Sequence, residues 1–368
     1  PCYVGWATVI CKDAAYLTLC LMIGVLLMEF ALNRADFMRD WRKLAWLSVS
    51  MLLLWLTRYN GALIVAVVYT AMLLALLVRP ETGKHRLTLA LFALATVLLG
   101  WGTNEVLLKT LNVQKVFMQD VLTIPFQQTA LVAKRHNGTL PQAEVDAVDR
   151  VLDYQLIAQR GGSWYADAVK DTYRQTATEA DRAAYFRVWL AQTLRYPVDS
   201  MDAVLIMNGN VFDVQFNRPM YVGLSDNELY DYVYPYSFND MKMYNRTQTV
   251  PLDSAQRMLT QWYFSFDDLP LVGWFASMGF CADLLLMVAW LAIANRRKQA
   301  LWVMIPSLIT LVGCLFSPVA YLRYALPYIC SLPLWIGAYT AAGNSHVSEV
   351  AVPATDGTQT EKQQPTIA

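Results

Sequence analysis

The chain has 368 residues, of which 56% are hydrophobic and only 16% are charged, and its 29 basic side chains balance 29 acidic ones. This composition is too apolar for an ordinary soluble domain, so it indicates a polytopic membrane protein of the all-α class. A net charge of zero leaves no basic stripe to neutralise phosphates, which excludes nucleic acid as a partner.

Apolar runs of helical length separate membrane segments from the rest of the chain, and they predict about seven transmembrane helices. The runs cover residues 14–32, 44–57, 61–78, 87–108, 268–294, 300–317 and 325–342. The domain boundaries that follow are 1–108 for the first four helices, 109–266 for an insert, 267–342 for the last three helices and 343–368 for a disordered tail.

The short loops between these runs predict the orientation in the membrane. Loops 33–43, 79–86 and 295–298 carry most of the nearby Lys and Arg residues, and all three lie on one side if the helices alternate. The positive-inside rule makes that side cytoplasmic. We therefore expect the N-terminus and the insert outside a bacterial cytoplasmic membrane, and the C-terminus inside.

The insert is long enough to fold as a separate, mainly helical exoplasmic domain. Hydrophobic spacing predicts helices at 113–134, 141–159 and 179–195. After Tyr196-Pro197, dense Asn, Gly, Pro and Tyr residues favour irregular loops that fold against the membrane surface.

The tetrad at 58–61, Arg58-Tyr59-Asn60-Gly61, joins two apolar runs without room for a loop. The pattern predicts a hairpin that turns on Asn60-Gly61. The first run, 44–57, is shorter than the ~20 residues of a straight span, so Arg58 is expected slightly inside the headgroup boundary. It is either a functional residue or an arginine that snorkels to lipid headgroups.

Several polar side chains can converge with this elbow on the outer face. They are Lys12 and Asp13 before the first run, Arg323 and Tyr324 between the last two runs, and Gln127 and Gln128 at the start of the insert. Two arginines and a lysine in a water-poor site suit a phosphate or pyrophosphate, and one carboxylate suits a divalent metal or proton transfer. The alternative is that each residue is an interfacial anchor.

Two acidic residues stand out inside the predicted spans. Glu29 lies one turn from the cytoplasmic end of its helix, where it is expected to snorkel or to pair with Arg34. Asp283 lies near the middle of the fifth run, where it would need a partner or a water-filled cavity.

The order of these features resembles the later part of a GT-C type membrane glycosyltransferase. More narrowly, LTRYNGALIV, IPFQQTALVAK and SPVAYLRYALPYICSLPLWI resemble the bacterial multi-pass family DUF6020. The GT-C resemblance implies transfer of a sugar from a polyprenyl-phosphate donor to a cell-envelope glycan or lipid acceptor on the exoplasmic face.

The resemblance also implies roles for individual residues. Asp13 would act in catalysis by holding a divalent metal, Mg or Mn, or by orienting the acceptor. The donor phosphate would be bound by Lys12, Arg58, Tyr59, Asn60 and Arg323. Contacts to the acceptor or the sugar would come from Gln127, Gln128 and Tyr324.

The catalytic base of such enzymes lies in the first external loop, and nothing before Asp13 supplies one. The resemblance therefore implies that about four preceding helices are absent and that this fragment is inactive. Two other functions stay open: a transporter or flippase of lipid-linked or charged small molecules that uses Asp283 for coupling, and a non-catalytic envelope scaffold.

Overall fold

A computed structural model describes residues 12–78, 83–112, 118–163, 166–212, 214, 273–317 and 322–350. At some of these positions, including Tyr59, Arg323 and 344–350, the description covers the backbone alone. The described residues are mostly helical, and the β-type pairing among them is one isolated bridge between Leu152 and Tyr173. The predicted all-α class is confirmed.

The helices fall into a first apolar group, an insert and a second apolar group. The first group comprises α1 (Lys12–Leu32), α2 (Arg34–Arg39), α3 (Trp41–Thr57), α4 (Tyr59–Leu77) and α5 (Gly83–Thr110). The insert comprises α6 (Met118–Val121), α7 (Thr123–Arg135), α8 (Gln142–Asp149), α9 (Tyr154–Arg160), α10 (Asp167–Lys170), α11 (Glu179–Arg195), α12 (Pro197–Met207) and α13 (Gly209–Phe212). A 3₁₀ turn (Gly273–Ala276) precedes α14 (Met278–Ala294), α15 (Ala300–Leu315), α16 (Leu322–Cys330) and α17 (Leu332–Val350).

Three of these helices are long and apolar enough to cross a bilayer: Lys12–Leu32, Asn60–Leu77 and His85–Thr110. Helices α14 and α15 are apolar but shorter. The chain therefore has the helices of a membrane protein, on grounds of length and composition.

Helix α1 is the centre of the apolar bundle, and it packs against α3, α15 and α16. Its buried residues recur every three or four positions from Asp13 through Tyr16, Cys20 and Ile23 to Phe30. This spacing places them on one side of the helix. Asp13 consequently lies on the buried side of α1, together with the residues of the apolar core.

The bundle has two ends with different chemistry. At the basic end, Lys43 pairs with Glu29, and the Arg34 and Arg86 guanidinium groups donate to the Ala75 and Leu76 carbonyls. These two arginines neutralise the carbonyls that the last turn of α4 leaves unpaired. The elbow end is the opposite one, where α3 meets α4.

The elbow itself is tighter than the sequence predicts. Arg58 alone is extended between α3 and α4, so the predicted turn on Asn60-Gly61 is wrong, and both residues lie in the first turn of α4. A Cβ at Gly61 would lie 2.3 Å from the Leu54 carbonyl oxygen, which only glycine can tolerate. Close contact with α3 explains the glycine.

The insert packs around α7. Phe126 is fully buried, lies edge-on to Tyr185 and stacks on Tyr173, and the Thr129 hydroxyl bonds the Tyr185 hydroxyl at 2.9 Å. Helix α11 matches the predicted 179–195 because Thr178 and Asp181 form a reciprocal capping box.

Two other predictions for the insert need correction. The helix predicted at 141–159 is two helices, α8 and α9, with a break in which Asp153 caps the second. The irregular loop predicted after Tyr196 begins as helix α12, because Pro197 occupies its first turn, where proline is tolerated. Residues 215–272 of the predicted loop lie outside the described residues.

The last predicted span, 325–342, is interrupted. Helix α16 ends at Cys330 and α17 begins at Leu332, because Pro333 has no N–H for the preceding turn and its ring clashes with the carbonyl four residues earlier. Helix α17 continues to Val350, past the predicted start of the disordered tail at Gly343. Residues 351–368 of that tail lie outside the described residues.

Candidate functional site at the elbow end

Arg58 is fixed by the backbone on both of its sides. Its N–H donates to the Leu54 carbonyl at 3.3 Å, which ends α3, and its carbonyl accepts from the Gly61 N–H at 2.9 Å, which begins α4. The extended residue between these bonds projects from a rigid connection rather than from a loop. Its side chain is therefore positioned by two helices at once.

The Arg58 side chain forms an ion pair inside the bundle. Its Nη2 donates to Asp13 Oδ1, and the exposed fractions of the two side chains are 14% and 3%. The guanidinium carbon lies 4.3 Å from the Tyr324 ring centroid and 5.5 Å from that of Tyr16. An arginine that snorkels to headgroups would be exposed, so the geometry contradicts the anchor interpretation of Arg58.

One donor of this guanidinium is left over. Arg58 Nε is buried and has no hydrogen-bond acceptor among the described residues. A buried N–H without an acceptor costs free energy, since it has lost its water and gained nothing. The Nη2 group of Arg58 is therefore paired with Asp13, whereas its buried Nε–H could donate a hydrogen bond to an anionic ligand.

Two more predicted residues have defined positions in this region. Lys12 is exposed on the first turn of α1, whereas Asp13 beside it is buried. The Asn60 amide packs over Gly313 of α15, where a Cβ would lie 2.3 Å from Asn60 Nδ2. The side chains of Tyr59 and Arg323 lie outside the described residues, so their predicted phosphate contacts stay predictions.

Gln127 and Gln128 belong to the packing of the insert. Gln127 is buried on α7. The Gln128 amide donates to the Ser200 carbonyl at 3.1 Å and accepts from Trp189 Nε1 at 2.8 Å. These bonds tie α7 to α11 and α12, which favours a structural role for Gln128. Contact of either glutamine with sugar or acceptor stays a prediction.

The two acidic residues predicted inside spans behave differently from expectation. Glu29 pairs with Lys43, not with Arg34, because the start of α3 approaches the end of α1. Asp283 is not in the middle of a span, because α14 begins at Met278 and not at 268. It lies in the second turn of that helix with its side chain exposed.

The surroundings of Asp13 do not suit a divalent cation. Its carboxylate is engaged by a guanidinium, whose charge repels Mg or Mn. No group of three or more His, Cys, Asp or Glu side chains converges on a common point in the parts of the chain that the structure describes. The metal that the GT-C resemblance implies at Asp13 therefore stays a prediction without support from this geometry.

Sequence reasoning missed Tyr16. The signal was present, because Tyr16 follows Asp13 by three residues and must lie on the same side of a helix. The buried stripe that includes Asp13, Tyr16 and Cys20 puts this ring under the guanidinium.

These features define a helical protein with membrane-spanning character and a buried ion pair at one end of its apolar bundle. The model of the family of unknown function DUF6020 matches residues 1–352, so the chain belongs to that family. The comparison with curated proteins found no match, and neither did the comparison with solved structures.

Proposed function

We propose that this chain is a GT-C-like membrane glycosyltransferase component that binds a polyprenyl-phosphate-linked sugar donor at the elbow end of the bundle. The observation that carries the proposal is Arg58: a largely buried guanidinium, held by Asp13 between Tyr16 and Tyr324, whose Nε has no acceptor among the residues that the structure describes. A lipid phosphate is an anion that arrives within the membrane and therefore reaches such a site without crossing water.

Arg58 would bind and stabilise the phosphate as it leaves the sugar. Charge-assisted hydrogen bonds strengthen where water is scarce, and negative charge grows on that phosphate as the glycosidic bond breaks. Asp13 is a positioning residue in this scheme, because its carboxylate orients the guanidinium and keeps the empty site neutral. The proton acceptor for the incoming hydroxyl group is not assigned.

The membrane arrangement in the proposal is about seven spans with the elbow end and the insert outside. The contacts at the two ends support it. Lys43, Arg34 and Arg86 share the basic end, whereas Asp13 and Arg58 share the other. By the positive-inside rule the basic end faces the cytoplasm of a bacterium, which leaves the ion pair on the side where lipid-linked sugars are used.

A photoreactive polyprenyl phosphate tests the binding step. The full chain in lipid nanodiscs should be labelled by this probe, and Arg58→Gln should reduce labelling at least about tenfold, the scale of one lost charged hydrogen bond. Arg39→Gln is the matched control, since Arg39 is an exposed arginine of α2. The corresponding polyprenol without phosphate should not compete.

The second measurement is release of polyprenyl phosphate from a sugar-loaded donor, in membranes that contain the chain together with the preceding helices that the GT-C resemblance implies. Loss of release in Arg58→Gln with normal release in Arg39→Gln supports transfer. Equal labelling of wild type and Arg58→Gln would refute phosphate binding at the elbow. Labelling that depends on Arg58 without any release would refute the transferase and leave a lipid-phosphate binder.

A further inference from the structure

An apolar surface is exposed on two consecutive helices of the insert. Helix α11 contributes Phe186, Leu190 and Leu194, each one turn apart, and α12 contributes Val198, Met201 and Leu205. These six residues form what we call the apolar face. Leu194, Val198 and Met201, where the two helices meet, are 74%, 70% and 60% exposed. A run of exposed large apolar side chains on neighbouring helices marks an interaction surface.

The acidic residues of α12 are neutralised by basic partners, although Asp202 lies on the same side of the helix as Val198 and Leu205 and is 38% exposed. Arg135 donates to Asp199 at 2.6 Å and to Asp202 at 2.7 Å, and His136 Nε2 lies 2.7 Å from Asp199. The exposed charge beside Phe186 on α11 is the cation Arg187. The face is thus apolar with a basic neighbour, which is the pattern of helices that lie in a lipid interface.

The residues that follow α12 contact the apolar bundle. Helix α13 follows α12 directly, and its Val211 is buried in the same cluster as Met278 and Cys281 of α14. The Asn208 amide donates to the Leu315 carbonyl at 3.2 Å, at the end of α15. Helix α12 therefore carries part of the apolar face, and the residues that follow it contact α14 and α15 of the bundle.

Exposed aromatic side chains lie at this junction. They are Phe212, Trp274 and Phe275, which are 54%, 53% and 45% exposed. Tryptophan and other aromatic side chains are characteristic of the boundary between lipid and water. The junction thus has the composition of a membrane surface, and the apolar face adjoins it.

We infer that the apolar face of α11 and α12 docks on the outer leaflet of the bilayer, with its side chains at the boundary between headgroups and acyl chains. The partner is the lipid surface, and the contact fixes the insert against the membrane beside the elbow end. This inference does not depend on the proposed transferase function, because it uses neither Arg58 nor Asp13.

Site-directed fluorescence in nanodiscs tests the contact. A fluorescent amino acid is placed at Met201 of the full chain by amber suppression, and brominated lipids, which quench only probes in contact with acyl chains, replace the normal lipids. The control position is Ala143, which is exposed on α8 and is not one of the six residues of the apolar face. We expect quenching at 201 to be at least about twofold stronger than at 143, since an interfacial helix buries its apolar side ~5–10 Å deep.

The outcomes separate the lipid from other occupants. No quenching at 201, with a probe that stays in an apolar environment in detergent and in nanodiscs alike, would show that another protein surface covers the face. No quenching with a water-exposed probe would show that nothing covers it, and either result overturns the inference. A second probe at Leu194 repeats the test with a different substitution.

Discussion

Replacing Arg58 by alanine removes one half of a largely buried ion pair and takes away the cation that neutralises the other half. Asp13 is 3% exposed, so its carboxylate would keep a buried charge without the guanidinium that neutralises it. Such a loss costs about 3–5 kcal/mol, which is roughly two to three and a half powers of ten in the unfolding equilibrium. Loss of the contact with Tyr324, at 4.3 Å, adds about 0.5–2 kcal/mol.

A double-mutant cycle measures this coupling. The variants are Arg58→Gln, Asp13→Asn and the double variant, each unfolded with SDS in detergent micelles while tryptophan fluorescence is recorded. We expect Arg58→Gln to be the least stable and the double variant to recover most of the loss, because two amides of similar size bury no net charge.

Stability and ligand binding respond differently in this cycle. The double variant should regain stability but should not be labelled by the polyprenyl phosphate probe, because it has no guanidinium. Additive losses of stability would refute the direct ion pair. Recovered labelling in the double variant would show that the pair only holds the helices together.

Three further predictions concern local structure. Gly61→Ala should lower stability by about 1–3 kcal/mol in the same SDS assay, because its Cβ would meet the Leu54 carbonyl, whereas Gly102→Ala, which meets nothing within 4 Å, should not. Thr178→Ala should cost about 1 kcal/mol by removing the capping box of α11, and a helical signal unchanged in thermal melts would contradict it. Burial opposes ionisation of Asp199, but its hydrogen bonds with Arg135 and His136 outweigh that effect and lower its pKa below the ordinary 3.8. Its contribution to stability is therefore present above that pH and lost as the pH falls through the lowered pKa, which near-ultraviolet circular dichroism of wild type and Asp199→Asn would reveal.

The apolar pattern predicted the all-α class but predicted the turns between helices poorly. Periodicity locates α1 and the hairpin because both are long apolar runs. It cannot show that Gly61 packs against the Leu54 carbonyl, because that is a tertiary contact. The Asn60-Gly61 pair therefore suggested a turn, since Asn-Gly is a common turn sequence. Proline alone does not locate the break at Pro333, because Pro306 and Pro327 lie inside α15 and α16 without interrupting them.

The candidate site could be predicted in part. Arg58 and Asp13 were recognisable as charged residues at the ends of apolar runs, and Tyr324 as their neighbour across the bundle. The direct ion pair between Arg58 and Asp13 was not predictable, because the two residues are 45 positions apart in the chain and their contact depends on how α1 packs on the elbow. Lys12 shows the same limit, since it and Asp13 are adjacent in sequence but lie on different sides of one helix.

The chemistry of the ion pair argues for a ligand more than for stability alone. A buried pair gains little over apolar residues of the same volume, since desolvation cancels most of its attraction. A pair with an additional buried donor that finds no acceptor in the described part of the chain, as at Arg58 Nε, is less stable still. An anion that accepts from that donor would add a charged hydrogen bond to a site already desolvated and already oriented by Asp13. The arrangement thus lowers the stability of the unliganded protein and increases its affinity for an anion, as expected of a preorganised site for a phosphate.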